Sequence, residues 1–153
     1  MTKIRKMDKL IKSKKRVKDF AEVYTPQWLV RDMVALTDAY QPSVTVLEPS
    51  CGNGNFLIEI LSQKLDNSKD IEEAFVSLSS LYGIDIQDDN VLETRERLKS
   101  LFLERFPNQN IDKINIILKH NIVCGNFLDK KVYSNGKSAD ETISFLKDEY
   151  ELF

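Results

Sequence analysis

A short apolar run followed by a glycine-containing loop is the feature that most constrains what this chain can fold into. Residues 44–47 (Val-Thr-Val-Leu) are apolar and partly β-branched, which predicts a buried strand that ends at Glu48-Pro49. Small residues at 50–55 follow as a loop, and residues 56–64 predict a helix that leaves it. Strand, glycine loop and helix in this order open the α/β sheets that bind nucleotide-like cofactors.

Helices and strands are predicted to alternate along most of the chain. A helix with Thr25 as N-cap and Pro26 at its first position is predicted to run to residue 40, where Gln41-Pro42 stops it. Further helices are predicted at residues 71–78 and, capped by Asp88 or Asp89, in the stretch that ends before Pro107. Strands are predicted at residues 81–86 and 114–118.

Beyond residue 120 the patterns become weaker. They predict a short strand or turn at residues 121–129, a loop at residues 134–142 and a final helical turn through Phe145 and Leu146. Together with the preceding elements, they give α/β as the predicted fold class.

The charge of the chain is divided unevenly. Residues 1–18 hold nine Lys or Arg and one Asp, so this segment carries +8 and leaves −10 for the rest of a chain of net charge −2. A basic arm of this kind can lie on the phosphate backbone of DNA. The candidate DNA contacts are Lys12, Lys14, Lys15, Arg16 and Lys18. The alternative is a helix packed on the domain, because Ile4, Met7 and Ile11 recur at helical spacing.

Length and composition limit the class of protein. With 153 residues, 42% of them hydrophobic, the chain can form one cored domain, which we place at residues 20–153 after an arm or helix at residues 1–19. No run of about 18 apolar residues occurs, and no apolar segment follows the basic N-terminus, so we expect no membrane span, no signal peptide and a cytoplasmic location. Cys51, Cys124 and His120 lack the spacing of metal ligands, and no metal site is predicted.

The predicted strand ends point to a cofactor site. Asp85 closes the second strand, where a carboxylate can accept hydrogen bonds from both hydroxyls of a ribose; the alternative role is a helix cap. Ile86 could cover one face of an adenine ring, Asn126 could read its edge, and Phe127 is available for the other face. The glycine fingerprint of dinucleotide-binding proteins is incomplete, because Leu57 stands where the third glycine belongs. A dehydrogenase is therefore the least favoured function.

Four motifs in order resemble the adenine-N6 DNA methyltransferases of restriction-modification systems. Residues 48–57, Glu-Pro-Ser-Cys-Gly-Asn-Gly-Asn-Phe-Leu, are similar to the cofactor loop of that family, and Tyr24-Thr25-Pro26 is similar to the motif that precedes it. Gly83-Ile84-Asp85-Ile86 resembles the ribose-binding strand. Residues 124–128, Cys-Gly-Asn-Phe-Leu, resemble the adenine-contacting motif, with Asn126 where many members have Asp.

The resemblance implies a partial Rossmann-like methyltransferase fold, with strands in spatial order 3-2-1 and flanking helices, that binds S-adenosyl-L-methionine. It assigns Glu48 to the amino group of the cofactor, the loop at 52–54 to its methionine part, Asp85 to the ribose and Asn126 to the adenine. The implied cofactor-binding residues are Tyr24, Thr25, Pro26, Glu48, Pro49, Ser50, Gly52, Asn53, Gly54, Phe56, Asp85, Ile86, Asn126 and Phe127.

One element of the family is absent from these 153 residues. Family members carry Asn- or Asp-Pro-Pro-Tyr or Phe, which holds a flipped-out adenine for methylation, and no Pro-Pro pair occurs here. No catalytic residue is therefore assigned, and we expect either a fragment of a longer enzyme or a natural short form. The alternatives are a cofactor-binding or regulatory module acting through a partner chain, and an enzyme acting on RNA or on protein glutamine.

The predicted strand order leaves strand 1 as an open edge. An unpaired apolar strand edge is a liability that proteins cover or pair. We therefore expect a homodimer, a partner chain or docking of the C-terminal segment along this edge.

Overall fold

The computed structural model describes residues 10–147, which form a five-stranded sheet with flanking helices. The strands are β1 (Val46–Glu48), β2 (Leu81–Asp85), β3 (Ile122–Asn126), β4 (Lys131–Ser134) and β5 (Lys137–Thr142). The helices are α1 (Lys14–Phe20), α2 (Gln27–Val34), α3 (Asn55–Asp66), α4 (Ile71–Ser79), α5 (Asp88–Arg105) and α6 (Ile111–Asn121), and a 3-10 turn covers Ser144–Leu146. The α/β class and the final helical turn are confirmed; Ile4 and Met7 of the proposed N-terminal helix lie outside the described residues.

The sheet has the order β1-β2-β3-β4-β5. Strands β1, β2 and β3 are parallel, with Leu47 opposite Tyr82 and Ile84 opposite Val123. Strands β4 and β5 continue the sheet as an antiparallel hairpin beyond β3. Because the three parallel strands share one direction, their carboxyl ends meet at the same end of the sheet.

Two predictions for the C-terminal half are wrong. Residues 114–118 are not a strand but the centre of α6, where Asn110 caps the helix by accepting a hydrogen bond from Lys113 N at 3.0 Å. Ile114 and Leu118 are buried while Ile116 between them is 70% exposed, which fits the period of a helix and not the two-residue alternation of a strand. Residues 134–142 are not a loop, because Asn135 and Gly136, both with positive φ, form the tight turn of the β4–β5 hairpin.

Two predicted helix starts and one helix end are also corrected. Pro26, with ψ 144°, is the N-cap of α2 rather than its first residue, and Gln87 rather than Asp88 or Asp89 precedes α5. Helix α2 ends at Val34, well before residue 40. The Thr37 hydroxyl donates to Val34 O at 2.8 Å, a side-chain bond that competes with continuation of the helix.

The sheet packs differently on its two faces. Leu81 of β2 belongs to the main core, which is shared with α2 to α6, whereas Ile84 belongs to a smaller cluster with Ile143 and Leu146 beside the 3-10 turn. Within residues 10–147, β1 pairs only with β2 and forms one edge of the sheet. No helix among these residues has the length and apolar character needed to cross a membrane.

Residues 10–25, named here the N-terminal strap, lie against the start of α5. Ser13 caps α1 by accepting from Arg16 N at 3.1 Å, and Ala21 ends the helix in the left-handed conformation. After α1, the strap lies at the end of the sheet where β1 and β2 terminate.

Candidate functional site

A cavity of about 270 Å³ opens at the carboxyl ends of β1 and β2. The end of the strap, the loop after β1 and the residues after β2 form its walls. Its lining residues are Phe20, Ala21, Glu22, Val23, Tyr24, Thr25, Glu48, Ser50, Cys51, Gly52, Asn53, Asn55, Phe56, Asp85, Ile86 and Gln87.

Both glycines of the loop after β1 are required by their surroundings. Gly52 has φ 54°, and a Cβ at this position would lie 3.3 Å from the ring of Tyr24. Gly54 has φ 89°, and a Cβ there would lie 2.9 Å from two side-chain atoms of Thr94. A left-handed backbone with so little space accepts only glycine without rearrangement.

Side chains of α5 donate hydrogen bonds to this glycine loop. The Thr94 hydroxyl donates to Gly52 O at 3.1 Å, and Arg97 Nη1 donates to Asn53 O at 2.6 Å and to Asn55 Oδ1 at 3.0 Å. These residues were missed by sequence analysis. Their signal is a polar row at positions 90, 94 and 97, at helical spacing on α5.

Asp85 lies in the cavity wall, 8% exposed, with both oxygens bonded. Oδ2 accepts from Gly52 N at 2.9 Å, and Oδ1 accepts from Gln87 N at 2.9 Å and from Asn90 Nδ2 at 3.1 Å. Gln87 is the residue before α5. By accepting a hydrogen bond from its backbone N–H, Asp85 also fills part of the helix-capping role that was predicted as the alternative. Since a carboxylate offers about four lone-pair sites, acceptor capacity remains on Oδ2 for a ligand hydroxyl.

The charges that line the cavity are all negative. Glu22, Glu48 and Asp85 lie in its walls, and none of its described lining residues is Lys or Arg. Burial raises the pKa of Glu48, and its one hydrogen bond from the described residues is long, at 3.4 Å from Ser50 N. A half-buried carboxylate with one weak donor gains from a ligand cation. This lining disfavours a pyrophosphate ligand and suits a positively charged one.

One polar atom of the cavity wall lacks a partner. Asn53 Oδ1 is buried and accepts no hydrogen bond among the described residues. An unsatisfied buried acceptor costs about 1–3 kcal/mol. Hydroxyls, an ammonium and a sulfonium therefore all fit the donor and charge pattern of the cavity.

The structure brings most of the predicted cofactor residues together. Those that line the cavity are Tyr24, Thr25, Glu48, Ser50, Gly52, Asn53, Phe56, Asp85 and Ile86. Pro26, Pro49 and Gly54 adjoin lining residues without lining it. Asn126 and Phe127 do not line it either, because Asn126 Oδ1 accepts from Leu128 N at 2.9 Å and Phe127 packs beside the smaller core cluster.

The predicted DNA-contacting residues divide into two groups. Lys12 and Arg16 are paired with acids: Lys12 Nζ lies 3.0 Å from both Asp89 and Glu93, and Arg16 lies 2.6 Å from Glu22 and from Asp89. The hydrogen bond from Arg16 lowers the pKa of Asp89 to about 2. Lys14, Lys15 and Lys18 are exposed.

Comparison with known proteins gives two matches. Residues 9–96, which include the strap, the glycine loop and β2, match the model of a family described as N-6 DNA Methylase. The chain is also similar to a putative type II restriction enzyme and methyltransferase, RM.MjaORFECS2P of Methanocaldococcus jannaschii, with 28% identity over 124 residues. That alignment covers 71% of this chain and 10% of the relative, so the chain spans about a tenth of the relative's length. No solved structure matches the chain.

Proposed function

The chain belongs to the N-6 DNA methylase family, and we propose that it forms the S-adenosyl-L-methionine-binding part of an adenine-specific DNA methyltransferase. The observation that supports this most is the cavity at the ends of β1 and β2, where three carboxylates and a glycine loop meet without any basic lining residue. Its chemistry suits a ligand with ribose hydroxyls, an ammonium and a sulfonium.

Each part of the cofactor has a proposed contact. Glu48 pairs with the amino group, the loop at 52–54 takes the methionine part, and the free acceptor site on Asp85 Oδ2 accepts from a ribose hydroxyl. Ile86 covers one face of the adenine. The assignment of Asn126 and Phe127 to the adenine stays a prediction, since both would have to turn toward the cavity. The partial Rossmann-like methyltransferase fold and the cytoplasmic location also stay predictions of this proposal.

The bound cofactor supplies an electrophilic methyl group on its sulfonium. The residues of this chain bind and orient the cofactor, and none of them is assigned to the target adenine. We therefore propose that residues 1–153 do not methylate DNA on their own. Their lack of the Pro-Pro element also supports the second candidate function, a non-catalytic cofactor-binding or regulatory module that acts through a partner chain.

Calorimetric titration of the purified chain with S-adenosyl-L-methionine tests the proposal. We expect micromolar binding, worth about 8 kcal/mol, and a loss of affinity of about tenfold or more in Asp85→Ala, because the ribose loses its acceptor. Glu48→Gln should also bind more weakly. Wild-type affinity should fall as the pH drops through the raised pKa of Glu48, since the neutral acid cannot pair with an ammonium.

Asp112→Ala, which removes an exposed carboxylate of α6 that does not line the cavity, is the matched control and should bind as the wild type does. Absence of binding by the folded wild-type chain would overturn the cofactor proposal. Transfer of a labelled methyl group to DNA by the chain alone would contradict the proposed lack of activity.

DNA contact is proposed for the exposed lysines of α1. Within residues 10–147, Lys14, Lys15 and Lys18 form no acid pairs like those of Lys12 and Arg16 on the strap, and each phosphate they neutralise would release counterions. Lys12 and Arg16 are proposed to support this surface by docking the strap.

Strand pairing is proposed for the edge of β1. Val46 N donates to Ser80 O at 2.9 Å on the β2 side, so the N–H and C=O of Leu47 point to the open side of the strand. The described C-terminal segment does not pair there, because β5 pairs with β4 at the opposite edge. A second copy of the chain or a partner strand is the proposed occupant.

Sedimentation velocity tests both surfaces with one set of samples. We expect the chain to dimerise as its concentration rises, and we expect a labelled duplex to bind more weakly at high salt. Replacing Lys14, Lys15 and Lys18 with Gln should reduce the slope of log affinity against log salt by about 3, whereas Lys69→Gln should leave it unchanged. A monomer at all concentrations contradicts pairing with a second copy and leaves a partner strand as the proposed occupant, and an unchanged salt slope in the triple variant contradicts the DNA surface.

A further inference from the structure

A buried amide lies between the cavity and the N-terminal strap. Asn90, in the first turn of α5, is 0% exposed. Its Nδ2 donates to Asp85 Oδ1 at 3.1 Å and to Glu22 Oε2 at 2.8 Å. Its Oδ1 accepts from the Tyr24 hydroxyl at 2.9 Å and from Lys12 Nζ at 2.7 Å. The side chain thus bonds one residue of β2 and three residues of the strap.

Only an amide satisfies all four of these partners. Each of its two N–H groups meets a carboxylate, while its oxygen meets a hydroxyl and an ammonium. Burial raises the pKa of Tyr24 to about 12, so its phenol keeps the proton that it donates. Aspartate at position 90 could not donate to Asp85 or Glu22, and an apolar residue would leave all four groups without this partner.

The bonds of Asn90 and Gln87 N fix the rotation of the Asp85 carboxylate. Both donate to Oδ1, and Gly52 N donates to Oδ2, so the free acceptor capacity is held on Oδ2 next to the glycine loop. We propose that Asn90 is a positioning residue, which holds Asp85 in the orientation that receives the cofactor ribose and couples this orientation to the docked strap. This inference rests on the proposed function for the role of Asp85.

The strap has its own anchors on the far side of Asn90. Lys12 and Arg16 both pair with Asp89, and Arg16 also pairs with Glu22, which accepts from Asn90. The same strap supplies the cavity wall at residues 20–25. Docking of the strap and binding of the cofactor therefore share one amide, and each favours the other by linkage.

A double-mutant cycle on cofactor affinity tests the inference. S-adenosyl-L-methionine binding is measured for the wild type, Asn90→Ala, Asp85→Ala and the double variant. Asn90→Ala is expected to lower the affinity about tenfold, and the double variant is expected to bind no more weakly than Asp85→Ala alone, because Asn90 acts through Asp85. Wild-type affinity in Asn90→Ala, or losses that simply add in the double variant, would overturn the inference.

Asn121→Ala is the matched control. Asn121 is also a buried asparagine, and its Nδ2 donates to Ser79 O at 2.9 Å and Leu81 O at 3.1 Å at the opposite end of β2. It should lose stability yet bind the cofactor as the wild type does. If Asn90→Ala does not fold, Tyr24→Phe replaces it in the cycle, since this change removes the hydroxyl that bonds Asn90 and Glu22 and keeps the ring beside Gly52. A smaller loss is then expected, again absent in the Asp85→Ala background.

Amide hydrogen exchange separates failure of this inference from failure of the proposed function. In the ligand-free chain, the amides of Gly52 and Gln87, which donate to Asp85, should exchange faster in Asn90→Ala or Tyr24→Phe but not in Asn121→Ala. If the wild type binds no cofactor but these amides respond, the proposed function fails and the positioning role stands. Unchanged exchange of both amides refutes the positioning role.

Discussion

Gly54→Ala is expected to lower the free energy of unfolding by about 3 kcal/mol. The new Cβ would have to occupy a left-handed backbone at φ 89° and would meet Thr94 Cγ2 and Oγ1 at 2.9 Å. Thr94 cannot move away freely, because its hydroxyl donates to Gly52 O. Denaturant unfolding of the two chains measures the difference, and cofactor affinity should fall with it because the loop itself must shift.

Gly136→Ala separates the two causes of that loss. Gly136 also has a left-handed backbone, with φ 73°, but a Cβ there would have nothing within 4 Å. Its expected cost is about 1 kcal/mol, for the backbone alone. If Gly54→Ala costs no more than Gly136→Ala, the close approach of α5 to the glycine loop is not what selects glycine at position 54.

The order of strand, glycine loop and helix was predictable because its signals are local, although β1 covers Val46–Glu48 rather than residues 44–47 and is only partly buried. Residues 44–47 combine β-branched side chains with an apolar run, and the loop at 50–55 is made of small residues that suit few other structures. Residues 114–118 show the opposite case. Four apolar residues and Asn115 in a five-residue stretch fit a strand as well as a buried helix, and Asn110 as an N-cap would have favoured α6.

The hairpin after β3 also carried a local signal that was overlooked. Asn135-Gly136 is the dipeptide most typical of a two-residue hairpin turn. The flanking strands are polar on most positions, so their hydrophobic pattern is weak. Turn chemistry was therefore more informative here than hydrophobic alternation.

The support of the candidate site could not be predicted in the same way. Asp85 was found because it ends a strand, but Asn90, Thr94 and Arg97 contribute only once α5 lies beneath the glycine loop. The charges of Lys12 and Arg16 alone predicted DNA contacts. Their acid partners Asp89 and Glu93 lie more than 70 residues away in the sequence. Such roles depend on tertiary placement, which charge and periodicity do not encode.

A buried lysine supports the segment that leads into β1, at the end of the strand away from the cavity. Lys64 of α3 is 0% exposed, and its Nζ donates to Gln41 O at 2.6 Å, to Pro42 O at 3.2 Å and to Val44 O at 2.7 Å. These carbonyls belong to the segment that leads into β1 and therefore to Glu48. A lysine at this position in α3 is otherwise typical of an exposed helix face.

Lys64→Met is expected to lower the free energy of unfolding by about 3 kcal/mol, because Met keeps the apolar stem and leaves three carbonyls without their donor. Lys69→Met is the control, since the Lys69 side chain is 84% exposed and its pair with Glu73 should contribute little. Denaturant unfolding measures both variants. A Lys64→Met chain as stable as the wild type would mean that the cost of burying the ammonium cancels its three bonds. Lys64 would then act by fixing the conformation of residues 41–44. Because this segment leads through β1 to Glu48, a change in that conformation should lower the cofactor affinity of Lys64→Met.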